Sequence, residues 1–256
     1  MIKWVFFDLD NVVFNDEPCF ALVLQRLHEL LKNKGKKVSF EEILSQREAL
    51  IEEGETGKIH QIVAKKYLKQ SEFDVFFKGC LDEMMQNFLQ YNPVMPGVDY
   101  QIHDLEKRYS LGIAANHVRR SIEALENIGL LNSFKIVAVS EDMRVSKPSA
   151  RFFALTLSQK NVDPSNAIMI GDRVELDIVP ASKIGMKTVW LDLKDDQKYF
   201  SPRNEYEEKY LESIKRTPTV KHKIEWEGVQ PDITIKSISQ IAYAVGKLAQ
   251  TFAGTK

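Results

Sequence analysis

The 256-residue chain predicts an α/β fold: a doubly wound, Rossmann-like parallel sheet with an inserted all-helical domain. Three observations carry that expectation. Five short apolar runs have the length of buried strands, helical patterns separate most of them, and one long stretch has helical periodicity only.

The runs are residues 4–7, 111–115, 136–139, 167–170 and 188–191, all rich in β-branched and aromatic side chains. A parallel strand covered on both faces needs apolar side chains on both, so it reads as a continuous run rather than an alternating one. Helical patterns fill 98–108, 118–128, 150–159 and 177–184. Strand and helix alternating at this spacing is the mark of βαβ units.

Residues 15–92 break the alternation. Phe20, Leu24, Leu27 and Leu31 lie on one helix face, and Gly35 supplies a stop. Ser39 with Glu42 forms a capping box for a helix ending near residue 52. Helices over 58–68 and 71–89 follow, the latter with Phe73, Phe77, Cys80, Met84 and Phe88 as its apolar stripe. The predicted organisation is a core of residues 1–14 and 93–256, interrupted by a helical cap domain of residues 15–92. Within the core, residues 194–229 carry eight basic and eight acidic side chains and read as a charged surface excursion. A helix over 204–215 and a hairpin arm over 219–226 are expected there.

Composition narrows the function. A chain 44% hydrophobic and 28% charged buries a sizeable core without disulfides or a structural metal. The net charge of −1 gives no electrostatic reason to expect nucleic acid or an anionic membrane as partner. Cys19 and Cys80 stand far apart with no CxxC, which excludes a cysteine zinc site and fits a reducing cytosol. The apolar run before Asp8 is too short for an export signal, and no run approaches the roughly 20 residues of a membrane span. A cytoplasmic monomer or homodimer is expected.

In an α/β sheet, ligands bind beyond the carboxyl ends of the strands. Asp8 and Asp10 follow the first run, Asn116 and His117 the second, Lys147 the loop after the third, and Asp172 the fourth, with Asp177 five residues on. Such acids are costly to gather for stability alone. Asp8 and Asp10, at i and i+2, face one bound group, and Asp172 adds an oxygen for a hard cation such as Mg²⁺. Lys147 offers a charge to phosphoryl oxygens.

The chain resembles the haloacid dehalogenase superfamily, most of whose members are phosphatases. FFDLDNVVF matches its first motif, VSKPSARFF the lysine motif, and MIGDRVELDIVPASKIGMKTVWL the last, in the form GDxxxxD. PDITIKSISQI resembles its final strand and helix, and the inserted helices match the position of a cap. The resemblance implies Asp8 as nucleophile, Asp10 as general acid and base, and Lys147 as the partner of nucleophile and phosphate. It implies Mg²⁺ held by Asp8, the main-chain carbonyl of Asp10, and Asp172, with Asp177 in support and Asn116 on the phosphate. An aspartate at position 10 favours phosphate esters over carbon–halogen bonds. The implied substrate is a small phosphorylated metabolite, hydrolysed through an aspartyl-phosphate. A phosphomutase with the same intermediate and a catalytically degenerate binding protein stay open as alternatives. Two departures stand out. Asn11 replaces the usual glycine, and Ala115 stands where a Thr or Ser usually ends the second strand.

Overall fold

The computed structural model describes residues 1–55, 58–193, 195–217 and 228–251. In chain order the elements begin with β1 (Trp4–Phe7), α1 (Glu17–Asn33), α2 (Phe40–Glu52), α3 (Ile59–Tyr67), α4 (Gln70–Gln86) and α5 (Phe88–Tyr91). Next come α6 (Val98–Glu106), β2 (Ser110–Ala115), α7 (Arg120–Asn127), β3 (Phe134–Val139), α8 (Ser140–Met143) and α9 (Ala150–Ser158). Last are β4 (Ala167–Gly171), a π-turn at Val174–Ile178 leading into α10 (Val179–Lys183), β5 (Lys187–Leu191), α11 (Glu205–Arg216), β6 (Ile233–Ile235) and α12 (Ile241–Thr251). The chain divides into two compact units. One comprises Met1–Asn15, Val94–Lys194 and Ile224–Lys256; the other comprises Asp16–Pro93 and Asp195–Lys223.

The first unit is built on a six-stranded parallel sheet in the order β3-β2-β1-β4-β5-β6. Phe7 of β1 stands opposite Ile113 of β2 on one side and Ile170 of β4 on the other. The chain winds outward from β1 to β3, then returns to build the opposite half from β4. That reversal places a crevice at the carboxyl ends of β1 and β4, where such sheets bind their ligands. Phe6, Ile136, Phe152, Phe153, Met169 and Met186 share one buried cluster of this unit. Gly112 admits Phe6 into it, since a Cβ there would lie 2.5 Å from the ring. All five strand runs form strands, with ends moved by at most two residues, and the sixth lies within the PDITI segment.

The last predicted helix of the core differs at its start. Residues 174–178 form a π-turn, closed by the Val179 N–H donating to the Val174 carbonyl five residues back, and Asp177 within it bonds back to Arg173 twice. Its N–H donates to the Arg173 carbonyl at 2.7 Å, and its Oδ2 accepts from the Arg173 N–H at 3.0 Å. One-turn π insertions of this kind recur at functional sites.

The second unit is helical. α2 starts with the expected capping box: the Glu42 N–H donates to Ser39 Oγ at 3.1 Å, and the Ser39 N–H donates to Glu42 Oε2 at 2.7 Å. The helix predicted over 71–89 is instead two, because Asn87 leaves helical backbone at φ −125° and ψ 47°. The charged stretch after residue 194 requires a larger correction. α11 belongs to the helical unit and is not a solvated excursion of the core. Tyr210, Leu211 and Ile214 join Leu24, Leu27, Leu31 and Ile43 in one buried cluster. The Tyr210 hydroxyl donates to Glu17 Oε2 at 2.8 Å, and Arg47 Nη1 donates to Ser213 Oγ at 3.1 Å. Charge density misled here because α11 is amphipathic: Glu205, Glu208, Glu212, Lys215 and Arg216 are exposed, while its apolar face is covered. The hairpin arm expected over 219–226 lies outside the described residues. Among the described residues, no helix is long and apolar enough to cross a membrane.

Tyr210→Phe leaves the fully buried Glu17 contact without its donor. The expected cost is about 1–3 kcal/mol of stability, read as a lower urea midpoint with an unchanged slope.

Candidate active site

Asp8 continues β1, and its N–H donates to the Ile170 carbonyl of β4 at 2.9 Å, so the sheet itself fixes this carboxylate. Lys147 reaches it from the loop between α8 and α9. Its Nζ lies 2.7 Å from Asp8 Oδ1 and 2.5 Å from Asp177 Oδ1. Lys147 is 2% exposed and Asp177 0%, so this is a buried cluster and not a surface pair. Burial favours the neutral amine, but the Asp177 and Asp8 charges outweigh it and hold Lys147 protonated. Asp177 is pushed well above the usual carboxylate range, first by burial and next by the Asp8 charge.

The surrounding residues hold this arrangement in place. A Cβ on Gly171 would lie 2.2 Å from Asp177 Oδ2, so only glycine leaves room for the carboxylate. Asn116, expected on the phosphate, has its side chain engaged elsewhere. Its Nδ2 donates to the Lys147 carbonyl at 2.9 Å, and its Oδ1 accepts from the Lys147 N–H at 2.7 Å. The side chain therefore clamps the lysine loop. Ala115 ends β2 at 1% exposure, opposite Val139.

Asp10 lies in a tight turn after β1, closed by the Val13 and Phe14 N–H groups on the Leu9 carbonyl. Asn11 takes the left-handed conformation, φ 52°, which explains how it stands in for glycine: asparagine tolerates this region better than most residues. Its Nδ2 also donates to Asp172 Oδ2 at 3.2 Å. His117, which the sequence places beside the site, contacts the second acid directly. Its Nδ1 lies 3.0 Å from the Val118 nitrogen, accepting from that N–H when the ring is neutral, and its Nε2 lies 3.2 Å from Asp10 Oδ1. Burial opposes both charges, but the pair outweighs it: Asp10 is held below the usual carboxylate range and His117 above that of histidine.

Oxygens of Asp8, Asp172 and Asp177 lie within 4.8 Å of one another. The grouping takes in Asp177, and the Asp10 side chain is not part of it. The Lys147 ammonium bonds two of these three carboxylates, Asp8 and Asp177, which leaves a crowding of negative charge that a cation would relieve. All donors are oxygens, as Mg²⁺ prefers, and beside Asp172 the Asn11 Oδ1 is buried with no hydrogen-bond partner. The residues fit a hard divalent cation.

Sequence reading missed Trp190, which looked like one more apolar residue of β5. Its indole Nε1 donates to the main-chain carbonyl of Asp172 at 2.9 Å. Only the parallel pairing of β4 with β5 brings the two together. The bond holds the Asp172 main chain and so aims its carboxylate; partners of ligating groups set metal affinity by about 10–100-fold. Trp190→Phe keeps the ring and removes the donor, so Mg²⁺ titrated against melting temperature is expected to give a midpoint at least several-fold higher than in the parent.

The sequence pattern of haloacid dehalogenase-like hydrolases matches residues 5–191. The glyceraldehyde 3-phosphate phosphatase of Pyrococcus abyssi is 29% identical over 193 residues, 74% of this chain and 81% of its own. The ribulose-1,5-bisphosphate 5-phosphatase of Halopiger xanaduensis is 27% identical over 220 residues, 77% of this chain and 87% of its own. Among solved structures, the magnesium-bound HAD-hydrolase YfnB of Bacillus subtilis superposes with a TM-score of 0.62 at 18% identity. That alignment covers 96% of this chain and 99% of YfnB. With its motifs on the carboxyl edge of the sheet and its match running from β1 to the end of β5, the chain belongs to the haloacid dehalogenase-like hydrolases.

Proposed function

We propose that the protein is a Mg²⁺-dependent phosphatase that cleaves a phosphate monoester of a small metabolite through an aspartyl-phosphate on Asp8. The observation that carries this reading is the buried Lys147 ammonium, shared between Asp8 and Asp177 at the sheet's topological switch. A lysine so placed aligns the Asp8 carboxylate and meets the equatorial oxygens of a phosphoryl group. The relatives named as phosphatases of glyceraldehyde 3-phosphate and ribulose-1,5-bisphosphate support a small phosphorylated substrate.

In the first step Asp8 attacks phosphorus, the bond from phosphorus to the leaving oxygen breaks, and Asp10 delivers a proton to that oxygen. In the second, Asp10 takes a proton from water as the water attacks the aspartyl-phosphate, which releases inorganic phosphate and restores Asp8. The His117 Nε2–H donates to one Asp10 oxygen and fixes the carboxyl, so that its other oxygen passes the proton. Mg²⁺, held by Asp8, Asp172 and the Asp10 main chain with Asp177 in support, would neutralise charge on the phosphoryl oxygens. Ala115 offers the phosphoryl group no hydroxyl, so Lys147 and main-chain N–H groups carry that contact. The helical unit, in the same proposal, is a cap that selects the substrate.

Asp8→Asn preserves shape and removes the nucleophile. Release of inorganic phosphate from an aryl phosphate is expected to fall below about a hundredth of the parent rate, with the protein still folded although its melting temperature falls as Lys147 loses a charged partner. In the parent, millimolar Mg²⁺ is expected to raise both activity and melting temperature. Folded parent protein that releases no phosphate with Mg²⁺ present would overturn the reading.

His117→Asn tests the proton route. Loss of general-acid assistance costs about 10²–10⁴ in full, and a supporting residue about tenfold. The loss is expected on alkyl phosphates, whose leaving oxygen needs a proton. On p-nitrophenyl phosphate, whose leaving group does not, the rate is expected to stay near that of the parent.

A further inference from the structure

We propose a second binding site in the core unit, at the amino ends of β1, β2 and β3, which takes a small anion bearing a di- or polyphosphate chain. A cavity of about 530 Å³ opens there, within the size range of small-molecule sites. Lys3, Lys107 and Lys135 line it, together with Tyr109, Ser110 and Ser133. Lys3 precedes β1, Tyr109 precedes β2, and Lys135 lies in the first turn of chain along β3. The Ser110 N–H donates to the Lys3 carbonyl at 3.0 Å, which locks two of these walls in register.

The charge balance is local and positive. Among the described residues, none of the three lysines makes an ion pair. Arg108, also on the wall, is bound to Asp104 at 2.6 Å and lies over the Tyr109 ring. Two other acids reach this region. Glu106 lines the rim, and Asp163, occupied by the N–H and hydroxyl of Ser165, lies within the field of Lys3. Three lysines against one lining carboxylate is a surplus that the net charge of −1 over the whole chain does not explain. A concave wall concentrates such a field. Lysine binds phosphate as a movable point charge, and the Ser133 and Tyr109 hydroxyls add donors at fixed places.

This is not the substrate's own crevice. Lys3 and Asp8 flank opposite ends of β1, and the six residues of β2 span roughly 20 Å. Three lysines on one wall offer more positive charge than a single phosphate needs, which favours a chain of two or more phosphates.

The test is calorimetric titration of the full chain with pyrophosphate and, separately, ATP, in low-salt buffer with EDTA. Without a divalent cation the Asp8, Asp172 and Asp177 carboxylates repel a polyanion, so binding there does not compete. One saturable site is expected, weakened about tenfold or more by the double substitution Lys107→Ala and Lys135→Ala. The pair Lys78→Ala and Lys160→Ala, exposed as the cavity lysines are but outside its lining, is expected to change nothing. Equal affinity for the two ligands identifies the phosphate chain as what is read, and tighter ATP adds its nucleoside; both support the site. No saturable heat with either ligand, or binding unchanged in the Lys107/Lys135 variant with its melting curve intact, overturns it.

Discussion

One buried ammonium organises the active site. Lys147 sits out of water between Asp8 and Asp177, a position that is tolerable only because both carboxylates are within bonding distance. Removing water from an ion costs several kcal/mol, and removing one partner from such a group strands the others. The residues around it follow from that constraint. Gly171 has no side chain because Asp177 needs the space, and Asn116 bonds the lysine backbone at both polar groups because the loop has to stay put. The π-turn aims Asp177 inward while its own N–H and carboxylate are satisfied by Arg173. Even the strand order serves the lysine, since β1 and β4 must be neighbours for Asp8 and Asp172 to share a crevice.

The turn that carries Asp10 is coupled to the same centre by a lighter contact. Asn11 serves two ends at once, supplying the left-handed backbone and reaching across to Asp172. A glycine would supply the first and not the second. On the other side of Asp10, His117 is oriented by the Val118 N–H, which settles which ring nitrogen faces the acid. The Asp10 carboxylate thus has one oxygen committed to a fixed donor.

Strands β1 to β5 were legible because a strand buried on both faces has to be apolar throughout, and few other elements are both short and apolar. The gathering of Asp8, Asp172, Asp177 and Lys147 was legible because their motifs follow successive strands, the lysine in the loop after α8. What stayed hidden depended on partners far along the chain. Trp190 looks like core until β5 is laid beside β4, and Asn116 looks like a ligand until the Lys147 loop is seen to lie against it. α11 was misplaced for a different reason. Its charges were counted as a run, whereas Tyr206, Tyr210, Leu211 and Ile214 form a stripe that the run's average conceals.

That stripe also bears on how such proteins exchange parts. A helical module carried on a single insertion can be lifted out by recombination at two points, and the sheet then closes over the gap. Here the module is assembled from two stretches of chain separated by the whole of the sheet from β2 to β5. Transplanting residues 16–93 alone would leave Leu24, Leu27, Leu31 and Ile43 without the helix that covers them. A chimaera, whether made in evolution or at the bench, has to carry α11 along, and the Glu17–Tyr210 contact marks where the two grafts must meet.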